Sequence, residues 1–280
     1  MESNATHLAA VIGAGPAGLF AARELAAQGA HVVLFNRDIK PGGLAEYGIY
    51  PDKHKMKEGL RKQFRQVLAA PGVEYYGNVV VGERGDLTLS ALRAIGFQAL
   101  VVTVGAQGTK WLGLPGEDLR GVYHAKDIVY HYNLLPPFSQ REFAVGKHVA
   151  VVGAGNVMLD IAHWLIRTLQ VEQVTAVVRR GPAEVKFDKK ELEYVSRNID
   201  LAALDAELER VRPTMEALGQ DVAAVKANNF MAALPKGLEA ISPTRFCFDF
   251  LASPTRMIAD EHGQVAGLEV EENTLVAANG

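Results

Sequence analysis

Short runs of consecutive apolar residues alternate along the chain with stretches whose apolar residues recur at helical spacing. Leu8–Ile12 predicts a buried strand, a helix follows to about Gln28, and Gly29 is placed to end that helix with a left-handed residue. His31–Phe35 predicts the next strand. A strand, a helix and a second strand in this order predict a βαβ unit with two parallel strands.

The same pattern returns in the second half of the chain. Val149–Val152 predicts a strand, a helix runs through roughly Leu169, and Val174–Val178 predicts the strand after it. Glu193–Leu234 has a weaker helical periodicity and is interpreted as a helical excursion within the second domain. The chain of 280 residues is therefore predicted to be an α/β protein with two Rossmann-like, three-layer domains.

Glycines mark the turn between the first strand and its helix, in the order Gly13-Ala-Gly15-Pro-Ala-Gly18. At this spacing Gly13 makes the tight turn, Gly15 lets a pyrophosphate approach the backbone, and Gly18 lets the helix pack on the strand. The pyrophosphate of a dinucleotide then lies at the positive N-terminus of the helix. Asn36 follows the second strand, where an acid that binds the ribose is expected, and its amide oxygen can still accept one hydrogen bond.

The second turn reads Gly153-Ala-Gly155, with Met158 in place of the third glycine. The strand after it is followed by Arg179 and Arg180, where an NAD site would carry an acid. Two guanidinium groups suit a 2′-phosphate, because each offers paired donors to phosphate oxygens. This pattern favours NADP(H) over NAD(H), and a solvated pair of arginines after a strand is the alternative.

Asp160 falls in the predicted first turn of the second helix. Its carboxylate has two interpretations that the sequence leaves open. It can complement the positive end of the helix dipole, or it can take part in catalysis.

The composition limits the chemistry that the side chains can supply. The chain is 49% apolar and 22% charged, carries a net charge of −3 and contains a single cysteine. A Cys-x-x-Cys redox pair is therefore impossible, and redox chemistry must come from bound cofactors. The eight histidines lack metal-ligand spacing, so we predict no metal site. Because no apolar run approaches the ~20 residues of a membrane span, we expect a cytoplasmic protein, and its charge points to no nucleic-acid partner.

The order of several segments is similar to that of a known family. After the first βαβ unit come Pro41–Lys57 and Leu100–Pro137, and with the second come Val177–Leu192 and Phe246–Pro254. This order resembles the adrenodoxin reductase family, the ferredoxin–NADP reductases built on the glutathione-reductase plan and related to the small subunit of glutamate synthase. The resemblance implies an FAD-binding domain, of which residues 1–106 are the N-terminal portion, and an NADP-binding domain over residues 107–280.

The resemblance also assigns residues to the two cofactors. FAD would contact seven residues and the backbone of an eighth, with Asn where the family has Glu: Gly13, Ala14, Gly15, Ala17, Gly18, Asn36, Leu44 and Val81. NADP would contact Ala154, Gly155, Asn156, Val157, Arg179, Arg180 and Glu191. Asp160 matches a family acid near the junction of nicotinamide and flavin, which implies a catalytic role.

The family's activity gives the functional expectation. Its members pass a hydride from NADPH to FAD and then electrons to a ferredoxin-like or other one-electron acceptor. The alternative is a non-enzymatic NADP(H)-binding module, or a subunit that needs another chain or segment to complete the flavin site. Asn36 favours this alternative. Longer family members also return to the FAD domain with a segment that is missing here, and we expect the 280 residues to be a fragment of a longer chain.

A helix predicted over Lys57–Ala69 combines one apolar face with one basic face. The basic residues of this helix and the loop before it are Lys53, Lys55, Lys57, Arg61, Lys62 and Arg65. These residues can form a docking surface for an acidic, ferredoxin-like partner, or an ordinary solvated face.

Overall fold

A computed structural model of the chain describes residues 7–106 and 108–277. These residues divide into two units. The first unit comprises the described part of Met1–Thr109 with Val129–Arg141, and the second comprises Lys110–Ile128 with the described part of Glu142–Gly280.

The first unit is built on a parallel sheet of four strands. In chain order its elements are β1 (Leu8–Ile12), α1 (Pro16–Ala27), β2 (His31–Asn36), α2 (Leu44–Tyr47), α3 (His54–Leu68), β3 (Val73–Gly77), α4 (Leu89–Ile95) and β4 (Ala99–Val102). The strands lie in the order β3-β2-β1-β4, and every pair is parallel. Helix α5 (Ala125–Tyr132) follows and has residues in both units.

Alternate residues of the central strand β1 pack on opposite faces of this sheet. Val11 belongs to a buried cluster with Leu19 of α1 and Phe64 of α3. Its neighbour Ala10 belongs to a second cluster with Leu92 of α4. Helices therefore cover both faces of the sheet, which gives the three layers that a buried parallel sheet requires.

The second unit combines a parallel sheet of three strands with a hairpin. Its elements are β5 (His148–Val152), α6 (Asn156–His163) continued by a π-helical segment (Trp164–Leu169), β6 (Gln173–Val178), α7 (Lys189–Leu192), α8 (Leu201–Ala217), α9 (Val222–Asn229), β7 (Arg245–Phe250), β8 (Ala252–Ala259) and β9 (Val265–Glu272). The parallel strands lie in the order β5-β6-β7, and β8 pairs with β9 in antiparallel fashion. Short 3₁₀ segments lie at Phe138–Gln140 in the first unit and at Pro182–Glu184, Ser196–Asn198 and Met231–Lys236 in the second.

Aromatic packing joins the helical part of the second unit to its sheet. The ring of Phe230, which follows α9 and is fully buried, meets the rings of Phe248 and Phe250 edge-on at centroid distances of 5.3 and 6.0 Å. Asn198 is also buried, and its Nδ2 donates hydrogen bonds to the carbonyls of Ser242 (3.1 Å) and Thr244 (3.0 Å). The chain between β6 and β7 is thus packed onto β7.

The fold class predicted from the sequence is confirmed, with parallel sheets flanked by helices and strands within one residue of their predicted limits. Helices α8 and α9 confirm a helical excursion within Glu193–Leu234, although it is interrupted by turns. Helix α3 begins at His54 rather than at Lys57. Asp160 lies in the second turn of α6 and not, as predicted, in the first, because that helix begins at Asn156.

The basic surface on α3 is smaller than the sequence predicted. Lys57 is buried, and its Nζ donates hydrogen bonds to Oδ1 of Asn133 (2.7 Å) and to the carbonyl of Ile49 (3.3 Å). Burial lowers the pKa of Lys57, as expected for an ammonium group removed from water. Its predicted place on a solvated face was therefore wrong. Exposed basic side chains on α3 are Lys55, Lys62 and Arg65.

Two features are absent from residues 7–106 and 108–277. No helix there is long and apolar enough to cross a membrane. Nor does any group of three or more His, Cys, Asp or Glu side chains in those ranges have an arrangement that could hold a metal ion.

An ion pair ties the short helix α2 to α3. Nε and Nη2 of Arg61 donate to the two carboxylate oxygens of Glu46, at 2.8 and 2.7 Å. The Glu46 side chain is only 8% exposed, and the Arg61 guanidinium holds the pKa of the Glu46 carboxyl below its ordinary value of 4.5. Nη1 of Arg61 also contacts Glu58, whose side chain is 56% exposed.

We expect Glu46→Gln to lower the free energy of unfolding at pH 7 by about 1–2 kcal/mol, a range reduced because Arg61 is partly exposed. The folded-state pKa of Glu46 is lowered, so its stabilisation is complete above pH 4.5 and is lost as the pH falls through the folded-state pKa. Urea unfolding at several pH values should show the difference from the unmodified protein shrinking on acidification. The control Glu58→Gln should cost well under half as much at pH 7. A Glu46→Gln penalty that does not change with pH would contradict the charge-based explanation.

Candidate functional site

The first glycine turn is held between the ends of two strands. Gly13 follows β1 with a φ of 104°, and its N–H donates to the carbonyl of Phe35 at 2.7 Å. A Cβ added at Gly13 would lie 2.5 Å from the carbonyl oxygen of Thr103. Oγ1 of Thr103 donates to the carbonyls of Gly13 (2.8 Å) and Ile12 (3.1 Å). Thr103 thus fixes the turn, and no motif in the sequence indicates this role.

The other two glycines of this turn have different surroundings. A Cβ at Gly18 would lie 1.9 Å from the Gly13 carbonyl oxygen, so only glycine lets α1 pack this closely on β1. Gly15 caps the N-terminus of α1, and nothing lies within 4 Å of the place where its Cβ would be. The structure therefore leaves open space over Gly15, at the helix end where backbone N–H groups attract an anion.

Asn36, at the end of β2, braces the same turn from beneath. Its Oδ1 accepts a hydrogen bond from the N–H of Ala14 at 3.0 Å. Its Nδ2 donates to the carbonyls of Asp38 (2.7 Å) and Lys40 (3.2 Å). The residue is 8% exposed and connects the glycine turn to the loop after β2. Only the second lone pair of Oδ1 is left for a ribose hydroxyl, so the predicted ribose contact stays a prediction.

The remaining residues predicted for the first site lie around this turn. Ala17 is exposed in the first turn of α1, and Leu44 begins α2 with 61% of its surface exposed. The carbonyl of Ala14 accepts a hydrogen bond from the N–H of Gly42 at 2.7 Å, which brings the loop before Leu44 against the glycine turn. Val81 packs its side chain against the core face that contains Ala10 and pairs its backbone with Leu87.

The second glycine turn has the same form at the end of β5. Gly153 has a φ of 129°, and its N–H donates to the carbonyl of Val177 at 2.9 Å. Gly155 caps α6, and the space around its missing Cβ is again open to at least 4 Å. Val157 is 53% exposed in the first turn of α6, whereas Met158, in the place of the third glycine, is buried. The arrangement offers a second helix N-terminus to an anionic ligand.

A segment after β6 crosses behind this second turn. The N–H of Lys186 donates to the carbonyl of Ala154 at 2.8 Å. Asn156 and Asp188 form a reciprocal pair, in which the Asp188 N–H donates to Oδ1 and Nδ2 donates to the Asp188 carboxylate, both at 2.8 Å. Asp188 precedes α7, which carries Glu191. The sequence predicts NADP contacts at Asn156 and Glu191, and these stay predictions; it does not indicate the Asn156–Asp188 pair, whose members lie 32 positions apart.

Arg179 and Arg180 follow β6 directly and are both exposed. Neither guanidinium has an ion-pair partner within residues 7–106 and 108–277. Asp160 is buried four residues after Asn156, on the same face of α6. The second unit thus presents a bare helix end and two uncompensated cations, a combination suited to a ligand with two separated phosphate groups.

Comparison with known proteins gives a consistent result. Residues 8–226 match the sequence profile of the family described as pyridine nucleotide-disulphide oxidoreductase. The chain is 30% identical to the NADPH-ferredoxin reductase FprA of Mycobacterium leprae, over 99% of the chain and 65% of that protein. It is 29% identical to the mitochondrial NADPH:adrenodoxin oxidoreductase of Arabidopsis thaliana, over 95% of the chain and 60% of that protein.

A solved structure of an FprA variant from Mycobacterium tuberculosis superposes with a TM-score of 0.78 at 28% identity, covering 98% of the chain and 65% of that structure. FprA from the same organism in complex with NADPH gives a TM-score of 0.71 at 27% identity, covering 96% of the chain and 69% of that structure. The chain spans 60–65% of the length of the first two curated relatives.

Gly18 and Gly15 of the first turn permit a matched test. Gly18→Ala should destabilise the protein by about 2 kcal/mol or more, because its methyl group must displace the Gly13 backbone. Gly15→Ala should change the unfolding free energy by less than about 0.5 kcal/mol, because its backbone is extended and its surroundings are open. FAD binding to the Gly15→Ala protein should nevertheless weaken at least tenfold. Urea unfolding and FAD titration measure both effects, and unchanged FAD affinity in Gly15→Ala would contradict the prediction that this turn binds the pyrophosphate of FAD.

Proposed function

The chain belongs to the pyridine nucleotide-disulphide oxidoreductase family, and from that premise we propose that it is an FAD-dependent NADPH oxidoreductase. In this proposal it passes electrons to a ferredoxin-like or other one-electron acceptor. The single observation that carries the proposal is the pair of bare glycine turns in one chain, of which the second is accompanied by two uncompensated arginines. The relatives named above as NADPH-ferredoxin and NADPH:adrenodoxin reductases support it.

We assign FAD to the first unit, as the N-terminal portion of an FAD domain over residues 1–106. Open space over Gly15 and the exposed N-terminus of α1 fit a pyrophosphate, which would be bound by backbone N–H groups. Ala14, Gly13 and Gly18 would shape this turn, and exposed Ala17 and Leu44 would lie against the ligand. The backbone of Val81 and the free lone pair of Asn36 complete the proposed set.

We assign NADP(H) to the second unit, as a domain over residues 107–280. The turn from Ala154 to Val157 would bind the pyrophosphate at the N-terminus of α6, and exposed Val157 offers an apolar contact. Arg179 and Arg180 would bind the 2′-phosphate, because guanidinium groups match phosphate oxygens with paired donors. Glu191 on α7 is the remaining proposed contact.

The cofactors would supply the redox chemistry: bound FAD would take a hydride from NADPH and release electrons singly. The chain's own contribution would be to bind each of the two dinucleotides through its phosphates. We assign Asp160 to the nicotinamide end of the second site. It lies one helical turn beyond Asn156, so α6 would carry a phosphate-binding end and a catalytic residue on one rigid element.

We further propose that an acidic, ferredoxin-like protein accepts the electrons. The exposed basic residues Lys55, Lys62 and Arg65 on α3 offer complementary charge for its encounter. The alternative hypothesis, a non-enzymatic NADP(H)-binding module, is not favoured, because both curated relatives described above are named as reductases.

Replacing both arginines tests the cofactor assignment. Arg179→Ala combined with Arg180→Ala should weaken NADP⁺ binding at least tenfold, because two charge-assisted contacts of about 1.5–3 kcal/mol each are removed. NAD⁺ binding should change little, since NAD⁺ has no 2′-phosphate. Calorimetric titration with both nucleotides measures the difference. Arg212→Ala, which removes a half-buried arginine on α8, is the control and should leave both affinities unchanged. Equal losses for NADP⁺ and NAD⁺ would contradict the assignment.

Reduction of bound flavin tests the activity itself. Under anaerobic conditions, NADPH added to the FAD-saturated protein should bleach the flavin absorbance, and NADH should do so with at least tenfold lower efficiency. Asp160→Asn should slow this bleaching while leaving NADP⁺ affinity within about threefold, since the residue is assigned to the reacting end and not to the phosphates. No bleaching at saturating FAD and NADPH would leave the chain as a nucleotide-binding module and overturn the proposed activity.

A further inference from the structure

The backbone of the arginine pair accepts hydrogen bonds from two donors, one just after β9 and one just after β7. Nδ2 of Asn273 donates to the carbonyl of Arg179 at 3.1 Å. The N–H of Leu251 donates to the carbonyl of Arg180 at 3.2 Å. Both carbonyls lie just beyond Val178, the last residue of β6 in register with β7, so the regular ladder has ended where these two bonds begin.

The two donors are themselves fixed. The N–H of Asn273 donates to the carbonyl of Leu251 at 2.6 Å, and Nδ2 of Asn273 also donates to Oγ of Ser253 at 2.8 Å. Leu251 is 2% exposed and has a φ of 55°, which is unusual for a side chain of this size. The Asn273 side-chain amide therefore donates one hydrogen to Ser253 and the other to Arg179, and so joins the start of β8 to the arginine pair.

Helix α8 anchors the same turn from its other side. Oε1 of Glu207 accepts from the N–H of Phe250 at 2.6 Å, and Nη2 of Arg210 donates to the carbonyl of Phe250 at 2.5 Å. The residue before Leu251 thus has its N–H and its carbonyl bound by one ion-paired couple on α8. The turn is a fixed support for the arginine backbone.

The backbone direction sets where the two guanidinium groups point, because neither has an ion-pair partner among the described residues to orient it. Successive side chains of an extended strand point to opposite faces, so two adjacent arginines can reach one anion only where the backbone departs from the strand. The bonds to the Arg179 and Arg180 carbonyls lie at this departure.

We propose that Asn273 is a specificity-determining positioning residue: by holding the Arg179 carbonyl, it makes both guanidiniums converge on the 2′-phosphate of NADP(H). The inference rests on the proposed NADP site and adds to it a residue 94 positions away, which does not touch the ligand. Asn273 contributes to the preference for phosphorylated over unphosphorylated dinucleotides and has no part in the pyrophosphate contacts at α6.

The test compares Asn273→Leu, which is similar in size but cannot donate, with Ser253→Ala, which removes the other acceptor and leaves the Arg179 contact. Calorimetric titration with NADP⁺, NAD⁺ and adenosine 2′-phosphate measures the site. Asn273→Leu should raise the Kd of NADP⁺ and of adenosine 2′-phosphate about five- to tenfold. A change of this size corresponds to the loss of one hydrogen bond. The Kd of NAD⁺ should stay within about twofold, and Ser253→Ala should leave all three values within twofold.

The double arginine variant separates failure of this inference from failure of the proposed function. If Arg179→Ala with Arg180→Ala leaves NADP⁺ affinity unchanged, the NADP site itself is wrong. Suppose that the arginine variant does lose NADP⁺ affinity. The role assigned to Asn273 is then overturned if Asn273→Leu binds NADP⁺ like the unmodified protein, or if Asn273→Leu loses affinity for NADP⁺ and NAD⁺ equally. Asn273→Ala provides the same comparison should the leucine variant fail to fold, and circular dichroism establishes folding in each case.

Discussion

The packing of helix on strand in the first unit depends on the close approach of Gly18 in α1 to the carbonyl oxygen of Gly13. At Gly18 any Cβ would come within 1.9 Å of the Gly13 carbonyl, so α1 can lie this close to β1 only because a hydrogen atom stands there. The close approach brings the N-terminus of α1 directly over the carboxyl end of β1. It leaves the backbone N–H groups of the first turn of α1 uncovered beside Gly15. A compact packing contact and a row of uncovered N–H groups, to which we assign the pyrophosphate, thus follow from the same constraint.

Different residues hold the glycine turn in place in the two units. In the first, Thr103 and Asn36 bind the turn through side chains that lie at the ends of neighbouring strands. In the second, Lys186 and Asp188 bind it from a segment that crosses behind α6, and Met158 is tolerated where Gly18 is required. The turns themselves are alike, with positive φ at Gly13 and Gly153 and open space over Gly15 and Gly155. The backbone of the turn is therefore similar in the two units although different residues support it.

The sequence was sufficient for features that depend on local pattern. Both βαβ units, both glycine turns and the arginine pair follow from apolar periodicity and from residues within about 30 positions of one another. Features created by long-range contacts were out of reach. Lys57 reads as one of several exposed cations on an amphipathic helix, and only its contact with Asn133, 76 positions away, shows that it is buried. For Asn36 the sequence predicts only a ribose contact, and it is the hydrogen bonds to Ala14 and Asp38 in the fold that show its second role in holding the turn.

We propose that the second glycine turn and the arginine pair form one NADP site. A crystal structure of the protein grown with NADP⁺ and FAD is the decisive measurement. We expect the pyrophosphate of NADP⁺ at the N-terminus of α6, beside Gly155, and its 2′-phosphate against Arg179 and Arg180, with the Asn273 bond to the Arg179 carbonyl intact. Electron density for NADP⁺ on the first turn, beside Gly15, or a 2′-phosphate in solvent away from both arginines, would contradict it.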